Sequence, residues 1–157
     1  MAHMISVEKI KEMREKYEDL AVVTYINSTA EIKAYSDICV TSSNAAKIVN
    51  KLKEKNIFFV PDKNLGNYIK KSLPNKNVIL NDGCCPVHDE IDVNDVRAYK
   101  GKVKILAHPE CRKEILDLAD FIGSTKAIIK ESGKYDDVLV VTWRSLDGQG
   151  WWRSLDG

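Results

Sequence analysis

Apolar and polar positions along this chain alternate in short blocks that predict strands and helices in turn. Residues 20–26 are almost continuously apolar and rich in β-branched side chains, which is typical of a parallel strand buried on both faces. The apolar residues before them recur at the helical period, which predicts a helix over residues 5–17. Further strands are predicted at 37–40, 57–60 and 78–80, and helices at 30–35, 45–55 and 65–72. Four strands with intervening helices predict a parallel sheet that helices cover on both faces.

The same order of elements starts again after residue 91. Helices are predicted at 92–99, 113–119 and 126–131, and strands at 103–107, 120–122 and 138–141. Each half contains, in this order, a short helix, a short strand and a hydroxyl-rich turn, and the strand begins at Asp37 in one half and at Asp120 in the other. Such repetition indicates duplicated units. We therefore expect an α/β protein of three-layer α/β/α units with parallel sheets: a complete unit over 5–91 and a partial one over 92–142.

The two ends of the chain differ from this pattern. Residues 1–4 resemble a cloning remnant. The hexapeptide Trp-Arg-Ser-Leu-Asp-Gly occurs twice, at 143–148 and at 152–157, and contains none of the periodicity of the other elements. We interpret the tail 143–157 as non-native sequence; the alternative is an aromatic, hairpin-like tail that docks on an exposed sheet edge.

Composition narrows the class of protein. The chain has 157 residues, of which 44% are apolar and 30% charged, as in a globular domain. A formal net charge of +1 gives no electrostatic reason to expect a nucleic acid or an anionic membrane as partner. No apolar run approaches the roughly 18 residues of a membrane span, and no signal peptide precedes the first helix. The four cysteines are therefore expected to be reduced cytoplasmic thiols or ligands rather than disulfides.

Candidate chemistry is densest in the turn 83–88, which follows a predicted strand and holds two thiols and an imidazole. Gly83 is expected to supply backbone angles that other residues avoid. Thiolates at the end of a parallel strand suit zinc or an iron–sulfur cluster. Successive side chains diverge, so one of Cys84 and Cys85 is expected to be a ligand and the other to pack. Cysteine as a small apolar filler is the alternative.

Other polar residues also follow predicted strands. Ser42 in one half, and Ser124 with Thr125 in the other, lie in turns that precede helices, where hydroxyls and free N–H groups attract carboxylate or phosphate. Ordinary helix capping is the alternative. His108 and Glu110 are an acid/base pair or a hydrogen-bonding pair of supporting residues.

Tyr25 and Asn27 end the first strand, and the alternation of side chains is expected to turn both to one face. For Tyr25 the alternative is core packing.

Six short segments of the chain, in this order, resemble quinolinate synthase. They lie at 24–31, 40–45, 61–65, 83–88, 108–111 and 123–125, and the resemblance runs from about residue 9 to residue 142. It implies an iron–sulfur-dependent transferase of NAD (pyridine nucleotide) biosynthesis that condenses iminoaspartate with dihydroxyacetone phosphate to quinolinate. It also implies three similar α/β/α domains around a 4Fe–4S cluster held by three cysteines, one from each domain.

The resemblance carries over to individual residues. It implies that Cys85 is the metal ligand of the middle domain and that the catalytic residues are Tyr25, His108 and Glu110. The substrate-binding residues that it implies are Tyr25, Asn27, Ser42, His108, Glu110, Ser124 and Thr125. The first domain and the end of the last have no counterpart, so this partial chain is expected neither to hold the cluster stably nor to be active alone. The alternative is a non-catalytic α/β module that binds a small anion, or zinc through Cys84 or Cys85, His88 and Cys111.

Overall fold

The computed structural model describes residues 3–142 and 152–154, which form two compact units, Met1–Cys85 and Pro86–Gly157. Parallel strands alternate with helices in both units, which confirms the predicted three-layer α/β/α class. The division after Cys85 falls six residues before the predicted one at residue 91. The predicted domain limits, and the interpretation of the two chain ends, stay predictions.

The first unit contains four helices around a four-stranded sheet. Its strands follow the order β2-β1-β3-β4 and are all parallel. The helices are α1 (Val7–Lys16), α2 (Ala30–Ala34), α3 (Ala45–Lys51) and α4 (Lys63–Ser72), and the strands are β1 (Leu20–Tyr25), β2 (Ile38–Val40), β3 (Asn56–Val60) and β4 (Asn77–Leu80).

Apolar side chains on both faces hold this sheet in the middle layer. Successive residues of a strand point to opposite faces. Phe59 accordingly packs with the buried residues of α3 and α4, whereas Phe58 packs with those of α1 and α2. Both side chains are at most 1% exposed. The near-continuous apolar runs of the sequence are explained by this burial on both sides.

Side-chain caps begin three of the helices, with Ser6, Thr29 and Asp62 each accepting a backbone N–H of the first turn. Helix α3 ends at Lys51, four residues earlier than predicted, because Leu52 takes an extended backbone. Lys76 then donates from Nζ to the carbonyl of Glu54 at 2.8 Å. In the described part of the chain no helix exceeds ten residues, and none is long and apolar enough to cross a membrane.

The second unit repeats this arrangement around another four-stranded sheet, of order β6-β5-β7-β8. Strands β5, β6 and β7 are parallel, and β8 runs antiparallel to β7. Strand β8 lies within the predicted tail, of which 143–151 and 155–157 lie outside the described residues. The elements are α5 (Pro86–Asp89), α6 (Val93–Arg97), β5 (Lys104–Ala107), α7 (Lys113–Leu116), β6 (Phe121–Ile122), α8 (Thr125–Ser132), β7 (Asp137–Val141) and β8 (Trp152–Ser154).

The internal repeat of the sequence has a counterpart in hydrogen bonding within each unit. Asp37, which precedes β2, accepts the Val22 N–H at 2.7 Å through Oδ2. Asp120, which precedes β6, accepts the Ile105 N–H at 2.9 Å in the same way. Each aspartate also donates its own N–H to the carbonyl of the same partner, at 2.9 Å and 2.8 Å. In both units an aspartate therefore fixes the register of the edge strand against the central strand.

Candidate active site

A turn at the carboxyl end of β5 carries two buried polar side chains. His108 and Glu110 are 4% and 3% exposed, and they follow the fully buried residues of this strand. The His108 N–H donates to the Val141 carbonyl at 2.9 Å, which continues the pairing with β7 past the end of β5. The Cys111 N–H then donates to the His108 carbonyl at 3.0 Å and closes the turn. The backbone thus fixes the position of both side chains.

The imidazole of His108 and the carboxylate of Glu110 contact each other directly. Nδ1 lies 3.2 Å from Glu110 Oε2, and the backbone N–H of Glu110 donates to the same nitrogen at 3.4 Å. The Glu110 residue therefore holds the His108 ring through its backbone N–H and places its own carboxylate beside the same edge of that ring. This pair can move a proton in acid/base chemistry.

His88 of α5 completes a buried group of three side chains in this unit. Its ring stacks on that of His108 with centroids 5.2 Å apart and an interplanar angle of 26°. Its Nδ1 lies 3.8 Å from Glu110 Oε2. The Arg112 guanidinium donates to the Ile91 carbonyl at 2.7 Å, which ties the loop after α5 to the turn that carries Glu110.

Three polar atoms of this group have no hydrogen-bond partner among the described residues: both ring nitrogens of His88 and Oε1 of Glu110. Buried polar atoms in native proteins nearly always have a partner, which is protein, water or a ligand. Burial lowers the pKa of His88 to about 4; Glu110 opposes the shift and His108 adds to it. His88 is therefore a neutral imidazole at neutral pH, and with Glu110 it offers ligand atoms to a polar molecule or a metal.

The turn that carries the two adjacent cysteines lies in the first unit, after β4. The Lys63 N–H donates to the Gly83 carbonyl at 2.6 Å, and the Cys85 N–H donates to Asp62 Oδ2 at 2.9 Å. A Cβ on Gly83 would lie 2.3 Å from the Pro61 carbonyl oxygen. The prediction that Gly83 supplies unusual backbone angles is wrong, because Gly101 is the one glycine with positive φ among the described residues. Glycine is needed here because two backbone segments approach closely.

The four cysteines are thiols in different surroundings. Cys84 and Cys85 are partly exposed in this turn, and Cys39 is exposed on β2. Cys111 is fully buried in the core of the second unit, where its Sγ lies 3.5 Å from the Val141 carbonyl oxygen. Cys111 therefore packs as a small apolar side chain with a weak S–H bond, and this gives the zinc alternative no support.

The predicted site residues of the first unit lie at the carboxyl end of β1 or in the segments that follow β1 and β2. Tyr25 is the last residue of β1 and belongs to the core, at 6% exposure. Asn27 lies two residues past the end of β1 and is exposed. Ser42 is partly buried in the loop that precedes α3. The start of this loop is held by the side chain of Asn44, whose Oδ1 accepts the Thr41 N–H at 2.7 Å. Because β1 ends at Tyr25, strand alternation does not extend to Asn27, and the expectation that the two side chains share one face stays a prediction.

In the second unit, the two predicted hydroxyl residues follow β6, the strand next to β5. Ser124 caps α8, and its Oγ accepts the Ala127 N–H at 3.4 Å. Thr125 is the first residue of that helix and is exposed. Capping thus accounts for one role of Ser124. Substrate binding by these residues, and by Tyr25, Asn27 and Ser42, stays a prediction.

The family of this chain follows from its similarity to known proteins. The family model described as "NadA: Quinolinate synthetase A protein" matches residues 1–146. The chain belongs to this family. The resemblance to quinolinate synthase that the motifs indicated is confirmed.

Curated relatives named quinolinate synthase match the chain over almost its whole length. The protein of Fusobacterium nucleatum is 61% identical over 150 residues, covering 93% of this chain and 50% of the relative. The protein of Clostridium novyi is 49% identical over 148 residues, covering 90% and 49%. That of Aquifex aeolicus is 45% identical over 147 residues, covering 90% and 46%. The chain spans about half the length of the curated relatives it matches.

Two residues outside the predicted set of catalytic and substrate-binding residues make buried contacts in the structure. His88 was part of the cysteine motif and of the zinc alternative, but its contact with His108 depends on tertiary folding. Asp62 lies between a strand and a helix, which is a signal for a helix cap. Its second partner, Cys85, lies 23 residues further along the chain, and no local sequence pattern indicates that contact.

Proposed function

We propose that this chain contributes to the synthesis of quinolinate from iminoaspartate and dihydroxyacetone phosphate, as its family membership suggests. The observation that carries the proposal is the buried group of His88, His108 and Glu110, in which both ring nitrogens of His88 and Oε1 of Glu110 are able to bind a polar ligand. A neutral imidazole on His88 and a carboxylate beside a second imidazole suit a condensation, which needs protons removed and returned. The same group has no evident use in packing, because burying polar atoms without partners costs stability.

Individual roles follow from the chemistry of each side chain. Glu110 and His108 exchange a proton with the reacting atoms, and His88 orients the substrate by a hydrogen bond from or to its neutral ring. Hydroxyl and amide groups bind the carboxylate and phosphate oxygens of the two substrates. We assign that binding role to Tyr25, Asn27, Ser42, Ser124 and Thr125, and we assign a catalytic role to Tyr25 as well.

We also propose that Cys85 is one ligand of a 4Fe–4S cluster. Such a cluster, when bound, supplies an iron with an open coordination position that acts as a Lewis acid. The donor chemistry of the turn fits this group, because a partly exposed thiol on a tightly held backbone is a suitable soft ligand. Reduced thiols and an oxygen-sensitive cluster suit the cytoplasm, which is where we place the protein.

The experiment that tests this proposal is anaerobic reconstitution with iron and sulfide, followed by iron and sulfide analysis and a visible spectrum. Because the chain supplies one of the three cysteines, we expect it to hold the cluster weakly, and we expect the bound iron and the brown colour to depend on Cys85. Cys84→Ser is the matched control, because it removes the neighbouring thiol of the same turn. Equal iron in the Cys85→Ser variant and the wild type, or a colourless protein that holds zinc instead, would contradict the assignment.

A further inference from the structure

Asp62 is a fully buried carboxylate that makes contacts in two directions. Its Oδ1 accepts the Leu65 N–H at 2.6 Å and caps α4, and its Oδ2 accepts the Cys85 N–H at 2.9 Å. Capping alone would be served by serine, threonine or asparagine at lower cost, since a buried charge is unfavourable unless hydrogen bonds satisfy it. The second oxygen therefore points to a role at the cysteine turn.

The bond to Cys85 belongs to a clamp between the end of β3 and the turn after β4. Within this clamp the Lys63 N–H donates to the Gly83 carbonyl at 2.6 Å, and Asp62 pairs with Gly83 as parallel strands do. The side chain of Asn81 donates to the Pro61 carbonyl at 3.0 Å. Backbone on both sides is thus fixed by hydrogen bonds that are not part of either strand.

The backbone N–H groups of the two cysteines in the turn donate to acceptors of different strength. The Cys85 N–H meets a buried carboxylate, whereas the Cys84 N–H meets the thioether sulfur of Met4 at 3.3 Å. A hydrogen bond to a carboxylate is roughly twice as strong as one between neutral groups, and thioether sulfur is a weak acceptor. The backbone of Cys85 is therefore the more firmly oriented of the two, and with it the direction of its Cα–Cβ bond.

We infer that Asp62 is a positioning residue that orients Cys85 for binding a soft metal centre, an inference that rests on the proposed role of Cys85. Partners that orient a ligand are a general part of metal sites, and their removal costs metal affinity even though they do not touch the metal. Here the oriented group is the backbone of the ligand residue. The side chain of Asp62 holds it from the start of α4.

Asp62→Ser is the informative variant, because serine can cap α4 but is too short to reach the Cys85 N–H as well. Asp92→Ser is the matched control, since Asp92 caps α6 by accepting the Asn94 N–H at 2.8 Å and has an exposed position. Asp62→Asn serves as a second variant that keeps the volume. Its amide replaces one of the two accepting oxygens with an NH2 donor group, so the two oxygens that accept the Leu65 and Cys85 N–H groups are no longer both present.

Two measurements on the 157-residue chain test the inference. Amide hydrogen exchange of the metal-free wild type should show the Cys85 N–H exchanging about tenfold more slowly than that of Cys84, and Asp62→Ser should remove this difference while Leu65 stays protected. After anaerobic loading with iron and sulfide, Asp62→Ser and Asp62→Asn should retain less than about half of the wild-type iron, and Asp92→Ser should retain all of it.

The outcomes separate the inference from the proposal beneath it. Equal exchange rates for Cys84 and Cys85 in the wild type would overturn the clamp. Loss of iron in Cys85→Ser together with full iron in both Asp62 variants would overturn the positioning role alone. Full iron in Cys85→Ser would overturn the ligand assignment, and the inference with it.

Discussion

Replacing Gly83 by alanine tests the close approach that shapes the cysteine turn. The added Cβ would lie 2.3 Å from the Pro61 carbonyl oxygen, more than 1 Å inside the 3.4 Å at which ordinary contact begins. Two further atoms, Asn81 Nδ2 and Met4 Cβ, would lie at 3.0 Å. The nearest atom belongs to the backbone, so no side-chain rotation relieves the clash. The end of β3 and the turn must separate, which also weakens the bond from Lys63 to Gly83.

We expect Gly83→Ala to lower the free energy of unfolding by about 3 kcal/mol, from overpacking of about 2 kcal/mol and one weakened hydrogen bond of about 1 kcal/mol. Gly133→Ala is the matched control: its Cβ would meet nothing nearer than 3.8 Å, and its φ of −68° suits alanine. That variant should change stability by less than about 1 kcal/mol, in the stabilising direction. Urea unfolding of both variants measures the difference. A Gly83→Ala protein as stable as the wild type would refute the close approach.

Two further predictions concern the pH dependence of stability and the contribution of a single hydrogen bond to stability. His88 has its pKa lowered by burial from 6.5 to about 4, so the unfolded chain binds the proton more readily. The free energy of unfolding of the metal-free chain should therefore fall by up to about 3 kcal/mol as pH falls from 6.5 to 4. In His88→Gln, urea unfolding at the same pH values should show a smaller fall, and an equally large fall in the variant would contradict this prediction. Asp120→Ala should lower the free energy of unfolding by about 1 kcal/mol at neutral pH, because it removes the acceptor of the Ile105 N–H. The control Asp136→Ala, at an exposed position, should leave it unchanged. Equal stabilities of the two variants would count against the role of the aspartate in fixing the edge strand.

The strands were predictable from the sequence because burial on both faces leaves a direct pattern. Runs such as that of β1, whose six residues are all buried, are apolar almost throughout. Helix α5 was missed because its four residues are too few to show a helical period and begin at a proline within a polar turn. Helix α3 was predicted too long because the polar residues after Lys51 are good helix formers, while a tertiary contact from Lys76 binds the carbonyl of Glu54 instead.

The candidate site was predictable only as far as it is local. His108 and Glu110 follow a strand and lie two residues apart, so their proximity is a matter of sequence. The stacking of His88 on His108 joins residues twenty positions apart, and no periodicity indicates it. The same is true of the bond from Cys85 to Asp62. Buried polar contacts of this kind depend on how the elements pack, and the structure is needed to find them.

The measurement that tests the central claim most directly is quinolinate formation by a hybrid enzyme. In it, residues 5–142 of this chain replace the matching half of the Fusobacterium nucleatum quinolinate synthase, to which the chain is 61% identical. Under anaerobic conditions, with freshly generated iminoaspartate and dihydroxyacetone phosphate, the hybrid should form quinolinate. Activity should survive Cys84→Ser and be lost in Cys85→Ser and Glu110→Gln. A hybrid that still forms quinolinate without Cys85 or without the Glu110 carboxylate would contradict the account.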